Sequence, residues 1–487
     1  MAETAGIDLG WLREHWLAGL LFVAYTAMLL HHARLGRRGT RDLDDYYVGG
    51  RNMGGLALGV SFFATFASTN SYVGHAGKGY EYGLPWFSLA ILIVAFTWLS
   101  WTTVAPRLRR FTSHWDALTL PDYLHQRFGA GGRALRLASG VVILFSSLLY
   151  LVAIFKGAGS LFQMFFDIRY EAAVAVTLVI VMLYTSVGGF LSVVRTDVLQ
   201  GALMVLGSIT IFYFVTDAAG GIGRLPELAE RPTTANLFSW SPGLPFVVLL
   251  GIALSGSLKL LVDPRQVSRF YALKDERSVR TGMWVAIVGI AVIQGCLFPV
   301  GLYAHFLMEG VTDTDLIVPT LVNDPGVFPL WAADCLIIAI VAAAMSSMDS
   351  VLLTAGSVLY KDVVEVVRPA ARPLAWTRVG VIGLAVVAAV VALDPPGGIV
   401  EITIFSGSLY AVCFFPAILF GLHWRRGNSA AVLTSMGLDV AVLLGWLAAG
   451  LGTVLHEVFP ALLVSCVAYS LVAWRSEPSL TRWPGCA

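Results

Sequence analysis

Ala342-Ala343-Ala344-Met345-Ser346-Ser347-Met348-Asp349-Ser350 sets three hydroxyls and a carboxylate inside a long apolar run. On a helix, Ser346, Asp349 and Ser350 fall at i, i+3 and i+4 and share one face, with Ala343 a turn before them. A carboxylate at membrane depth costs about 2.5–3.5 kcal/mol on insertion scales, so it demands a partner or a task. The face reads as one wall of a cation site.

The surroundings of this stretch are those of a membrane protein. Of 487 residues, 57% are hydrophobic and only 13% charged. Apolar runs recur at about the 20 residues a helix needs to cross roughly 30 Å of hydrocarbon. About thirteen are expected, near 14–32, 54–79, 84–106, 134–164, 171–189, 191–217, 243–262, 281–307, 331–360, 374–393, 399–422, 428–450 and 455–474. No gap has room for a separate soluble domain. The first run lacks a small-residue cleavage site and reads as a helix, not a signal peptide. A net charge of +1 argues against a nucleic-acid partner, and nothing in the chain implies an obligate protein partner. Cys296, Cys335, Cys413, Cys466 and Cys486 show neither metal spacing nor a disulfide framework.

Charge sets the expected topology. Arginines at 34, 37, 38, 41 and 51, at 107, 109, 110, 127, 133 and 136, and at 265, 269, 277 and 280 fall in alternate connections, as do Lys274, Lys361, Arg368, Arg372, Arg425 and Arg426. The opposite connections hold mainly Arg13, Arg169, Arg224 and Arg231, and the loop from Glu309 to Asp324 has no basic residue. The basic side is expected to be cytoplasmic, which puts the N-terminus outside and the C-terminus inside a cell membrane.

Two spans are poorly suited to unbroken helices. The second carries Ser68-Thr69-Asn70-Ser71 between apolar halves, and the seventh carries Ser255-Gly256-Ser257 followed by Lys259. Backbone departs from helix at membrane depth only where it lines a cavity or is buried in protein. Paired interruptions in corresponding helices of two repeats point to a transporter's binding site. The two spans are five apart. The expected organisation is residues 1–52 for the N-terminus, a peripheral helix and the first cytoplasmic loop. Five-helix repeats at 53–218 and 243–422 follow, inverted because five is odd. Residues 423–487 add two peripheral helices and a short cytoplasmic tail.

Three segments resemble the sodium/solute symporter family, relatives of the proline and sodium/glucose cotransporters. They are Asp44 to Arg51 leading into Ala64–Gly79, Tyr184 to Phe190 with Arg195-Thr196-Asp197-Val198-Leu199-Gln200, and Ala342 to Asp362. The resemblance implies an all-α membrane fold with a five-plus-five inverted-repeat core and broken first and sixth core helices. It also implies sodium as the coupling ion. By motif position the common sodium site falls on Ala64 and Ala67 of the broken helix and on Ala343, Ser346 and Ser347. Carbonyls and hydroxyls suit this hard cation. Some members carry a second site, which here would join Ser346, Asp349 and Ser350 to Asp197 and take sodium or a proton. Family members commonly have a hydroxyl at the position of Asp349, so one or two sodium ions remain open. A bland alternative pairs Asp197 with Arg195 or another basic residue.

Family solutes bind beside the broken first core helix. That implies Ser68, Asn70, Ser71 and Tyr72 here, with Lys156, Ser257, Lys259, Ser406 and Tyr410. Lys156 and Lys259 are the lysines lying well inside expected spans, and they favour a small organic acid, a monocarboxylate or similar. Amino acids and pantothenate-like acids stand behind it, sugars last. Phe62, Phe63 and Phe66 read as packing, and His75 as an interfacial structural residue rather than a gate. The expected function is sodium-coupled symport of a small organic solute across the lipid bilayer by alternating access, with proton coupling as the rival. A sensor is disfavoured because the chain ends about a dozen residues after the last span. An enzyme is disfavoured because no nucleophile–base pair, metal cluster or phosphate loop is visible.

Overall fold

A computed structural model describes residues 13–129, 132–166 and 168–476, and over them the chain is helical with no named strand. The extreme ends, expected on opposite sides of the membrane, lie outside the described residues. The principal helices are α1 (Trp16–Gly39), α2 (Gly55–Phe66), α3 (His75–Tyr82), α4 (Leu84–Trp115), α5 (Gly132–Phe166), α6 (Tyr170–Ala218), α7 (Phe246–Val262) and α8 (Pro264–Ala272). They continue with α9 (Glu276–Ala304), α10 (Leu330–Val358), α11 (Pro373–Ala392), α12 (Ile399–His423), α13 (Ser429–Ala448) and α14 (Val458–Trp474).

Ten described helices are long and apolar enough to cross a membrane, against about thirteen expected spans. The difference has a physical origin. The second expected span is broken, and its apolar piece α2 is short, as is α14. Two further spans run together as α6, whose 49 residues turn a corner at Gly189 (φ 64°, ψ −171°). Only glycine adopts that backbone region at low cost, and a Cβ there would lie 2.7 Å from the Tyr46 ring.

Burial identifies the centre of the bundle. The most apolar 18-residue window of the α10 helix is 100% buried, whereas that of α1 is 22% buried. α10 packs against α6, α5 and α2, α9 packs on α2, and α12 joins α7 to α5, while α13 and α14 pair at the periphery. A helix apolar on every side, as α10 is, belongs inside protein. Its few polar side chains therefore face other helices.

The two breaks have different causes. α2 stops at Phe66; Ala67 is extended (ψ 113°), and the chain resumes through a π-helical turn at Asn70–Gly74 into α3. Short polar side chains capture the local backbone there: Asn70 N donates to Ser68 Oγ at 3.2 Å, and Ser68 N to Ser71 Oγ at 3.4 Å. Such bonds compete with the helical ladder. The seventh span does not break at Ser255-Gly256-Ser257, which stay helical within α7. It breaks at Asp263 (ψ 122°), because Pro264 forces the preceding residue out of the helical region. The Asp263 carboxylate then caps α8 by accepting from Arg265 N at 2.9 Å. This shift corrects the reading of Arg265 and Arg269 as loop charges: both lie on α8 and are 3% and 1% exposed.

The corner at Gly189 yields a direct expectation. Gly189→Ala should lower stability by about 1–3 kcal/mol, seen as a reduced unfolding midpoint of the purified protein. An unchanged midpoint would mean the corner tolerates a side chain.

Candidate functional site

The C-terminus of α2 carries carbonyls with no helical partner, because the backbone leaves the helix at Ala67. Buried carbonyls must find donors or a cation. The Ser347 hydroxyl of α10 reaches them, lying 3.2 Å from Thr65 O and 3.3 Å from Ala67 O. The expected meeting of the broken helix with the Ser346-Ser347 turn is therefore present. In detail, Ser347 meets Thr65 and Ala67 rather than Ala64, which is fully buried one residue earlier. Ala343 is also fully buried, one turn before Ser347 on α10.

The second group of expected ligands is arranged differently. Asp197 Oδ1 accepts from Ser346 Oγ at 2.5 Å, and Oδ2 accepts from Ser61 Oγ at 2.6 Å. Its cationic partner is not Arg195, which is exposed, but Arg269, whose Nη2 lies 3.3 Å from Oδ2. Ser350 faces Thr65 Oγ1 at 2.9 Å and Arg269 Nη2 at 2.6 Å rather than Asp197. Asp349 turns to α6, where Thr185 Oγ1 donates to its Oδ1 at 2.5 Å and the Tyr184 hydroxyl lies close by. The two aspartates are thus held by separate partners. Arg269, Ser61, Thr65 and Thr185 escaped the sequence reading.

A small polar cavity adjoins the α2–α3 break. It is about 20 Å³ and is lined by Ser68, Asn70, Ser71, His75, Tyr150 and Lys259 together with Phe66, Gly256 and Thr403. Lys259 is 7% exposed, and its Nζ lies 5.3 Å from the Phe66 ring and 5.7 Å from the Tyr150 ring. Aromatic faces accommodate an ammonium, yet among the described residues no carboxylate pairs with it. Asn70 Oδ1 and His75 Nδ1 are buried with no hydrogen-bond partner among the described residues.

Five residues expected around the solute lie outside this cavity. The Tyr72 hydroxyl donates to Met204 O, Ser257 to Ala253 O of its own helix, and Ser406 to Ser146 O. The Tyr410 hydroxyl sits 2.8 Å from Ser147 Oγ. Apart from the Ser257 bond, which stays within α7, these bonds stitch helices together, a common use of hydroxyls in membrane bundles. Lys156 lines a separate cavity of about 770 Å³ and pairs with Asp315 at 3.6 Å. Burial raises the Asp315 carboxyl above its ordinary pKa, against the pull of Lys156. In the wall of that wider cavity Lys78 bridges α3 to α12 through Glu401 at 3.0 Å.

Carbonyls and hydroxyls meeting at a helix break inside the bundle, beside a polar cavity, are the arrangement an ion-coupled secondary transporter uses. The comparisons with known proteins sharpen that class. The family model for the sodium:solute symporter family matches residues 46–438, and the chain belongs to that family of transporters. It is 29% identical to the osmoregulated proline transporter OpuE of Bacillus subtilis over 450 residues, covering 89% of this chain and 90% of that one. It is 27% identical to the sodium/pantothenate symporter of Haemophilus influenzae over 436 residues, covering 88% and 89%. The structure of a Na+-coupled sialic acid symporter in a substrate-bound outward-open state superposes with a TM-score of 0.80 at 20% identity, covering 95% and 98%. A nucleobase-cation-symport-1 family transporter in a closed conformation gives 0.54 at 15% identity, over 88% and 95%. The fold is the five-plus-five inverted-repeat fold of such symporters.

Removing one member of a buried ion pair leaves an uncompensated charge, worth about 3–5 kcal/mol. Arg269→Ala should destabilise the protein by that order in denaturant unfolding in mixed micelles. Adding Asp197→Ala should restore part of the loss; an equal or larger loss in the double variant would show that the pair does not act as one.

Proposed function

We propose that this symporter imports a small organic acid, a monocarboxylate or similar solute, together with sodium. Alternating access carries both from outside to the cytoplasm, with the N-terminus outside and the C-terminus cytoplasmic. The observation behind the solute class is Lys259: a buried ammonium facing a polar cavity with rings but no carboxylate beside it. A carboxylate on the solute would supply the missing counter-charge, and desolvated charges pair most favourably with each other. Asn70 Oδ1 would accept from a hydroxyl or amine on the same molecule. Proline, pantothenate and sialic acid, named for the relatives, are all carboxylic acids.

Sodium fits the junction of Thr65, Ala67 and Ser347. Two backbone carbonyls and a hydroxyl oxygen point at one locus, and hard cations bind such oxygens without a dedicated charge. Binding there would order the α2–α3 break, whose Ser68, Asn70 and Ser71 face the solute cavity. Ion and solute would thus stabilise one another through the same few residues. The 20 Å³ cavity is too small for an organic acid, so the helices around it must separate to load one. The Lys78–Glu401 pair lines the wider cavity and ties α3 to α12, so it would open if those helices part.

A thermal-stability screen of monocarboxylates, amino acids, pantothenate and sugars, in sodium and in choline, tests the solute class. Carboxylates should stabilise only with sodium, and Lys259→Gln should abolish the effect. Stabilisation by neutral sugars alone, unaffected by Lys259→Gln, would refute the proposal. Separately, Ser347→Ala should raise the sodium concentration for half-maximal uptake about tenfold, the loss of roughly 1.4 kcal/mol. An unchanged sodium dependence would remove Ser347 from the ion site.

A further inference from the structure

The second ion site expected from the sequence already contains a cation, and that cation belongs to the chain. The Asp263-Pro264 break turns α8 so that Arg269 enters the space between α2, α6 and α10. There its Nη2 donates to Thr65 Oγ1 at 2.6 Å and Ser350 Oγ at 2.6 Å, and lies 3.3 Å from Asp197 Oδ2. Nε donates to Ser61 Oγ at 3.1 Å, and Nη1 to Arg265 O at 2.7 Å. The guanidinium therefore meets oxygens from three other helices and from its own, all away from bulk water; its side chain is 1% exposed.

This arrangement does not fit a second sodium ion. The Ser350 oxygen already receives a guanidinium N–H, and the Asp197 carboxylate already accepts from Ser61, Ser346 and Arg269. Asp349, the other expected acidic ligand, accepts from Thr185 and makes no hydrogen bond to Arg269 among the described residues. A sodium ion placed among the remaining lone pairs would sit within a few ångströms of a fixed positive charge, where like charges repel strongly in a low-dielectric interior. Arginine also keeps its proton under all ordinary conditions, so the compensation is permanent.

We propose that Arg269 is a tethered cation filling the second ion site, so that each chain binds one sodium ion, at the Thr65–Ala67–Ser347 junction. This rests on the sodium-coupled reading above and adds the stoichiometry. Arg269 also touches Thr65, whose carbonyl faces Ser347, so the tethered charge positions the residue that would hold the mobile ion.

Binding of radioactive sodium to the purified protein tests this without knowledge of the solute, with choline replacing sodium to hold ionic strength. The wild type should bind one sodium per chain. Asp197→Asn should still bind one, since Asp197 serves the arginine and not the ion. Arg269→Gln, if it folds, should gain a second saturable sodium, which Arg269→Gln/Asp197→Asn should lose again. Two sodium ions on the wild type, or a folded Arg269→Gln that still binds one, would overturn the proposal while leaving sodium coupling intact. No saturable sodium on the wild type would instead remove the coupling reading itself.

Discussion

Backbone carbonyls freed by a helix break inside a membrane bundle must be answered by something, and here the answer is the Ser347 hydroxyl. Water is absent at that depth, so each orphaned carbonyl carries a cost of several kcal/mol unless a donor or cation reaches it. α2 ends at Phe66 and exposes Thr65 O and Ala67 O to α10, the most buried of the ten long apolar helices described. The apolar faces of α10 anchor it against α5 and α6, and its hydroxyls are thereby delivered to the break. A site built this way has oxygens pre-positioned for a small hard cation and no net charge of its own.

The charges nearby are distributed with the same economy. Asp197 is matched by Arg269, Asp263 by Arg265, and Asp362 by Arg136, each pair largely or wholly buried. Lys259 stands outside that pattern, facing the small polar cavity at the break with aromatic rings around it. If a carried carboxylate meets Lys259 and one sodium meets the break, the mobile charges cancel. Transport would then be driven by the sodium concentration gradient, with little direct help from the membrane potential.

Much of this was legible in the residues, and the misses have identifiable causes. The break after Phe66 could be read from four consecutive small polar residues, since their side chains bond the local backbone. The break in the seventh span was sought at Ser255-Gly256-Ser257, although Asp263-Pro264 carries the stronger steric signal; the small residues there serve close packing of α7 on α12. Arg269 was counted with loop arginines because arginine so rarely enters a bundle, and only the packing of α8 reveals its partners. Ser406, Tyr410 and Tyr72 looked like solute contacts, but hydroxyls on membrane helices serve equally as interhelical bonds. Lys156 and Lys259 cannot be told apart by span position; the helix packing puts one in the wide cavity and the other at the break.

The claim that an ion organises the α2–α3 break can be measured by backbone hydrogen exchange in sodium against potassium at equal ionic strength. The account predicts that sodium slows exchange at residues 67–74 and in the facing turn of α10, while α13 and α14 are unaffected. Exchange at the break that is indifferent to sodium, or slowed equally by potassium, would contradict it.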